Sequence, residues 1–357
     1  MTGVTRRSLA AGLGAGFALS LIPACTAGDE RSIGFYNWDS YVGPATLAGF
    51  ERRTGTHVEL STFATDDELL AKLAAGSTDY DVVVPSHLGL QRLHEAGLLR
   101  PLDHRQLPAR ANLMPFWRDP GYDRGNRYSV PYSWQVLGLG YRRSRLPRDV
   151  QAPDSWSAAF ADPRFDHRIA AIEVSPALIE LGGMYLGQPP TPAGIAAVAD
   201  MLIARKPAFK LFHTDEGQDL LVERTVDLVI EYNSDIAAVM QRDADLGFVV
   251  PREGGLLSAD VLAVPRSSTR PAAAHAFIDW LLGAERARDL ALLTGYPTPN
   301  AAARALMPPS YRDNPVLFPT GVGVGASRFG VVFDPAATLV IDAATTRIRA
   351  APPVVHG

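Results

Sequence analysis

Three consecutive valines, Val82-Val83-Val84, preceded by Tyr80-Asp81 and followed by Pro85-Ser86, constrain this chain more than any other feature. An apolar run without polar alternation fits a parallel strand covered on both faces. It passes directly into a helical stretch, Leu88 to Ala96, for which Ser86 is an N-cap candidate. The same alternation precedes it. Ile33 to Trp38 reads as a strand, Pro44 to Arg53 as a helix, His57 to Thr62 as a strand, and Asp66 to Ala75 as a helix with Leu69, Leu70, Leu73 and Ala74 on one face. Parallel strands alternating with helices define an α/β fold.

A second unit of the same kind follows. Val136 to Tyr141, Ile169 to Val174, Val226 to Glu231 and Leu246 to Val250 read as strands, and Pro192 to Ala204 and Asp235 to Arg242 as helices. Pro271 to Leu293 reads as one long helix, with Gly295 beyond its end, and Gly321 to Gly325 as a glycine-rich loop. With 357 residues, 47% of them apolar, the chain can bury two cores. Cys25 is its only cysteine, so neither an internal disulfide nor a multi-thiolate metal site is available. The formal charge of −4, with Lys72, Lys206 and Lys210 as the only lysines, leaves no nucleic-acid footprint.

The N-terminus carries a separate message. Arg6-Arg7 precedes an apolar stretch from Leu9 to Ile22, shorter than the roughly 20 residues a membrane-spanning helix needs. Residues 1–24 are therefore expected to be an export signal, of the twin-arginine or the general secretory type. Ile22-Pro23-Ala24-Cys25 resembles a lipobox, which would make Cys25 the lipid attachment site and residues 25–31 a tether. Removing residues 1–24 takes away two arginines and no acid, leaving a charge of −6.

Catalytic motifs are lacking: there is no Gly-x-Ser-x-Gly elbow, no His-Glu-x-x-His and no phosphate-binding loop. Aromatic and acidic residues instead gather at predicted strand ends, in Asn37-Trp38-Asp39-Ser40-Tyr41, Pro85-Ser86 and Glu231-Tyr232-Asn233-Ser234-Asp235. Ligands of open α/β sheets bind outside the carboxyl ends of the strands. Each of these residues also has a plainer reading: Trp38 and Tyr41 as core, Asp39 as a helix cap, Tyr232 as a packed strand end and Asp235 as an N-cap.

Five segments, Phe35 to Trp38, Tyr80 to Ser86, Tyr128 to Tyr132, Pro251 to Gly255 and Gly295 to Asn300, follow in an order that resembles the spermidine/putrescine-binding proteins of ABC transporters over roughly residues 31–350. The resemblance implies a two-lobed type II periplasmic-binding-protein fold with a ligand cleft between the lobes. Residues 32–134 with 260–306 would form lobe 1, and 135–259 with 307–350 lobe 2. It also implies a monomer without cofactor or catalysis that delivers a cationic amine to permease subunits served by an ATPase, on the outer side of the cytoplasmic membrane.

Carried over by position, the family's aromatic contacts fall on Trp38, Tyr41, Tyr232 and Tyr296, its acids on Asp235 and Asp260, and a polar contact on Ser86, with Asp39 and Ser40 in the first binding loop. Ring faces and carboxylates together suit a flexible dication. Three positions depart from the pattern. Leu88 and Ser258 replace aromatics, and of an acidic pair only Glu173 is present in 173–177. The Tyr232 and Asp235 pairing is closer to a putrescine-type site. The alternatives are a receptor of the same fold for another solute, such as an aminoalkylphosphonate drawn to a helix N-terminus near Ser86, and a secreted enzyme.

Overall fold

The computed structural model of the protein describes residues 31–352. The export signal and Cys25 lie outside the described residues. The strands are β1 (Ser32–Trp38), β2 (His57–Phe63), β3 (Val82–Val83), β4 (Leu99–Arg100), β5 (Ser129–Arg142), β6 (Ile169–Ile172), β7 (Phe209–His213), β8 (Leu228–Tyr232), β9 (Leu246–Val249), β10 (Leu256–Pro265) and β11 (Arg328–Phe329). Their main path runs β2-β1-β3-β10-β5-β8-β6-β7.

β1, β2 and β3 are parallel, with helices Pro44–Thr54 and Asp66–Ala74 making the crossovers. Val82 and Val83 are fully buried, as a strand covered on both faces requires. Gly34 is obligatory beside them, because a Cβ there would lie 1.7 Å from the Asp79 carbonyl oxygen. Ser86 caps helix His87–Glu95 through a bond from the Gly89 N–H, as its position predicts.

β5 and β10 join the two halves. β10 runs antiparallel to β3 on one side and to the first half of β5 on the other, from Leu257 opposite Val136 to Ala263 opposite Ser129. From Leu137 onward β5 changes partners and pairs with β8 and β9. At about 3.3 Å per residue its 14 residues reach about 46 Å, enough to serve both sheets. β8, β6 and β7 then continue in parallel.

Each sheet has its own hydrophobic core, the first around Phe35, Phe50, Leu90 and Phe277, the second around Leu139, Trp156, Phe165 and Leu228. Helix Pro335–Ala350 returns to the second core through Ile341, Ala344 and Ile348, whereas Val316, Leu317 and Phe318 pack in the first.

Two local expectations need correction. The segment expected as one helix from Pro271 to Leu293 is two helices, Pro271–Leu281 and Ala284–Thr294. Gly283, with ψ near 138°, is extended between them, and a glycine costs little outside a helix and much inside one. The loop expected at Gly321 to Gly325 contains one helical turn, Val322–Ala326. Gly323 lies against the second unit's backbone, where a Cβ would come within 2.3 Å of the Val250 carbonyl oxygen.

Candidate functional site

The site is built where β1, β3 and β8 end and β5 and β10 pass between the sheets. β10 brings Asp260 opposite Ser133 of β5, and the register shifts just after it, between Asp260 and Val261. The Ser133 hydroxyl donates to Asp260 Oδ2 at 3.0 Å, and the Tyr41 hydroxyl donates to the same oxygen at 2.9 Å. Tyr41 is in turn held by Tyr132, whose hydroxyl donates to the Tyr41 carbonyl at 2.9 Å. Asp260 Oδ1 takes part in none of these bonds. Burial pushes the Asp260 carboxyl up to about 6 against the pull of the two hydroxyls, and the nearby Asp66 charge pushes it the same way.

The opposite pole comes from the second unit. Helix Asn233–Met240 begins directly after β8, so Tyr232 closes the strand and Asp235 falls in the first helical turn. Burial, reinforced by Asp215 beyond the end of β7, pushes Asp235 up to about 7. Tyr296 meets Tyr41 edge to face, with ring centres 5.7 Å apart. Burial pushes Tyr296 up to about 12, and the charges of both Asp235 and Asp260 add to it. Burial, then Glu231 and these same two acids, raises Tyr232 as well. Tyr41, Tyr232, Asp235, Asp260 and Tyr296 thus share one poorly hydrated neighbourhood.

The remaining candidates are placed differently. Trp38 ends β1 half-buried, its ring centre 4.4 Å from that of Phe63, and its buried Nε1 has no acceptor among the described residues. Asp39 and Ser40 are exposed and bond to each other at 3.1 Å, with Ser40 in the left-handed region at φ 58°. Asp39 caps no helix, since Gly43 precedes the first one. Asp235 is likewise no N-cap, a position Tyr232 holds. The Ser86 hydroxyl is committed to Asp66. Glu173 is exposed beyond β6.

Tyr132, Ser133, Asp66 and Asp215 are the polar neighbours that sequence reasoning missed. The β5 and β10 pairing supplies Ser133, and no local signal marks the others. Glu231 and His213 lie buried beneath the site, 3.7 Å apart. Burial moves Glu231 up to about 8 and His213 down, disfavouring the charged form of each. A wide groove of about 570 Å³ along Phe116, Tyr122, Leu257 and Phe329 contains none of the acids of the site. By strand alternation Leu257 faces away from Ser258 and Asp260, so this groove lies on the other side of β10.

Two α/β lobes joined by long strands, with aromatic and acidic groups gathered at the junction, define a binding protein for a small solute. The chain belongs to the bacterial extracellular solute-binding proteins, whose family model matches residues 45–319. It is 31% identical over 319 residues to the spermidine/putrescine-binding periplasmic protein of Escherichia coli (strain K12), covering 88% of this chain and 90% of that one. The putrescine-binding periplasmic protein PotF of the same organism is 27% identical over 98% of this chain and 99% of its own. Among solved structures, the spermidine/putrescine substrate-binding protein PotD of Streptococcus pneumoniae superposes with a TM-score of 0.81 at 25% identity, over 89% of this chain and 98% of that one.

Proposed function

We propose that the protein is the extracytoplasmic receptor of an ABC importer and captures a short polyamine of the putrescine or spermidine class. One observation carries this reading. Asp235 and Asp260, one from each side of the junction, are desolvated acids, and among the described residues no arginine, lysine or histidine neutralises either of them. Partly buried carboxylates without an internal counter-ion call for a cation from outside. Tyr41, Tyr232 and Tyr296 would cover the methylene chain and face the ammonium groups, at about 0.5–2 kcal/mol per cation–π contact. Trp38 would close the first-lobe side, with Asp39, Ser40 and Ser86 in its binding loops. The relatives named above for putrescine and spermidine support the same reading.

In this role the protein is a monomer and no enzyme, and hands its ligand to permease subunits driven by an ATPase. Lobe 1 would comprise 32–134 with 260–306 and lobe 2 135–259 with 307–350, except that Val316, Leu317 and Phe318 pack in the first core. Among the described residues no helix is long and apolar enough to cross a membrane. Anchoring would therefore rest on lipid at Cys25, more than one acyl chain being needed for stable attachment. Cys25→Ser should release the protein from the membrane fraction of a bacterial host, and wild-type protein with a free thiol in the soluble fraction would contradict the anchor.

A ligand held between two lobes favours the closed state only through contacts that both lobes make together. Small-angle scattering should accordingly show a smaller radius of gyration with putrescine than without, and mass spectrometry should recover the amine unchanged. Conversion of the amine would contradict a receptor.

A further inference from the structure

Asp66 opens the helix Asp66–Ala74, yet its carboxylate serves the neighbouring helix His87–Glu95. It accepts the Ser86 N–H at 3.0 Å and the Ser86 hydroxyl, while Ser86 Oγ accepts from the Gly89 N–H at 3.1 Å. Gly89 packs so closely on this carboxylate that a Cβ would come within 2.2 Å of Oδ1. Ser86 also forms an isolated antiparallel bridge with Asp260, so Asp66 stands behind a direct backbone neighbour of the central acid. The partial positive charge of a helix N-terminus, which draws anions in other proteins, is met here by the protein's own carboxylate.

We propose that Asp66 is a specificity-determining positioning residue, which holds Ser86 and adds a second negative charge behind Asp260 so that this pole favours ammonium groups and rejects anions. The proposal rests on the receptor reading above and adds to it a residue that need not touch the ligand. The charged groups around it are few. Asp67 and Arg92 face Asp66 and pair with each other at 2.6 Å. Tyr41, Ser133 and Asp66 surround Asp260, and Tyr122, Tyr232 and Tyr296 lie within its field.

The test is titration of the intact protein with putrescine from about pH 5 to about pH 8.5, using Asp66→Asn, Ser86→Ala and Asp67→Asn. Asp66→Asn should weaken binding about 3- to 10-fold at high pH, the scale expected of one unit charge a short way behind the site. It should also move the midpoint of the affinity curve to lower pH, because Asp260 loses a like-charged neighbour. Ser86→Ala should weaken binding without that shift. Asp67→Asn, exposed and paired with Arg92, should stay within about twofold of wild type. Asp66→Ser gives the same two readouts through a smaller neutral side chain should the amide misfold. Wild-type affinity and midpoint in the Asp66 variants would overturn this proposal and leave the receptor reading standing; failure of the wild-type protein to bind putrescine or spermidine would overturn the receptor reading itself.

Discussion

An amine should bind about two to three orders of magnitude more weakly at pH 5 than at pH 8. A cation between Asp235 and Asp260 needs both carboxylates ionised, and burial pushes them up to about 7 and about 6. Each costs roughly tenfold in affinity per pH unit below its own value, over about two units for Asp235 and one for Asp260. The ligand-free fold responds with the opposite sign. Both groups take up protons more readily folded than unfolded, so their contribution to stability is greatest below about pH 4 and is lost as pH rises through about 6 to 7. Binding measured across this range should therefore strengthen with pH while these acids contribute less to ligand-free stability. An affinity flat from pH 5 to 8 would mean that the ligand meets neither carboxylate.

Replacing Asp260 by Asn should weaken amine binding about 10- to 100-fold, since a hydrogen bond to a charged group contributes roughly 1.5–3 kcal/mol. The amide carbonyl can still accept from Tyr41 and Ser133, so the shape of the junction survives and only the charge is lost. The ligand-free protein should hold its stability, because a desolvated charge has been removed rather than a salt bridge. In the pH profile the step belonging to about 6 should vanish and the one belonging to about 7, from Asp235, should remain. Binding as tight as wild type would remove Asp260 from the site.

The α/β rhythm was legible because each early strand has a local signature. The valine run of β3 and the Ser86 cap are both written in consecutive residues, and the structure uses both. The split at Gly283 was masked by an apolar pattern that continues across it, since Leu281 and Leu282 are both buried on either reading. Gly321 to Gly325 carries no periodicity at all, and its turn is set by packing against Val250 and Pro251.

The site divides along the same line. Tyr41, Tyr232, Asp235 and Tyr296 each sit in a motif or near the end of an element, whereas Asp260 lies in the middle of β10 and was named only through the family resemblance. Ser86 was placed both as a cap and as a polar contact of the ligand; the structure shows the cap, and its hydroxyl bonds Asp66 inside the protein. Asp66, Ser133 and Asp215 reach the site through strand register and helix packing, which join residues far apart in the chain and leave no local mark. Asp66 serves a residue 20 positions away, and Ser133 one 127 positions away.

The central claim is that the junction between the lobes takes a cation. Isothermal titration calorimetry of the wild-type protein at about pH 8, with putrescine, spermidine and 2-aminoethylphosphonate as titrants, tests it most directly. Saturable binding of one or both amines and no heat of binding from the phosphonate is the predicted result; a phosphonate that binds while both amines fail would contradict it.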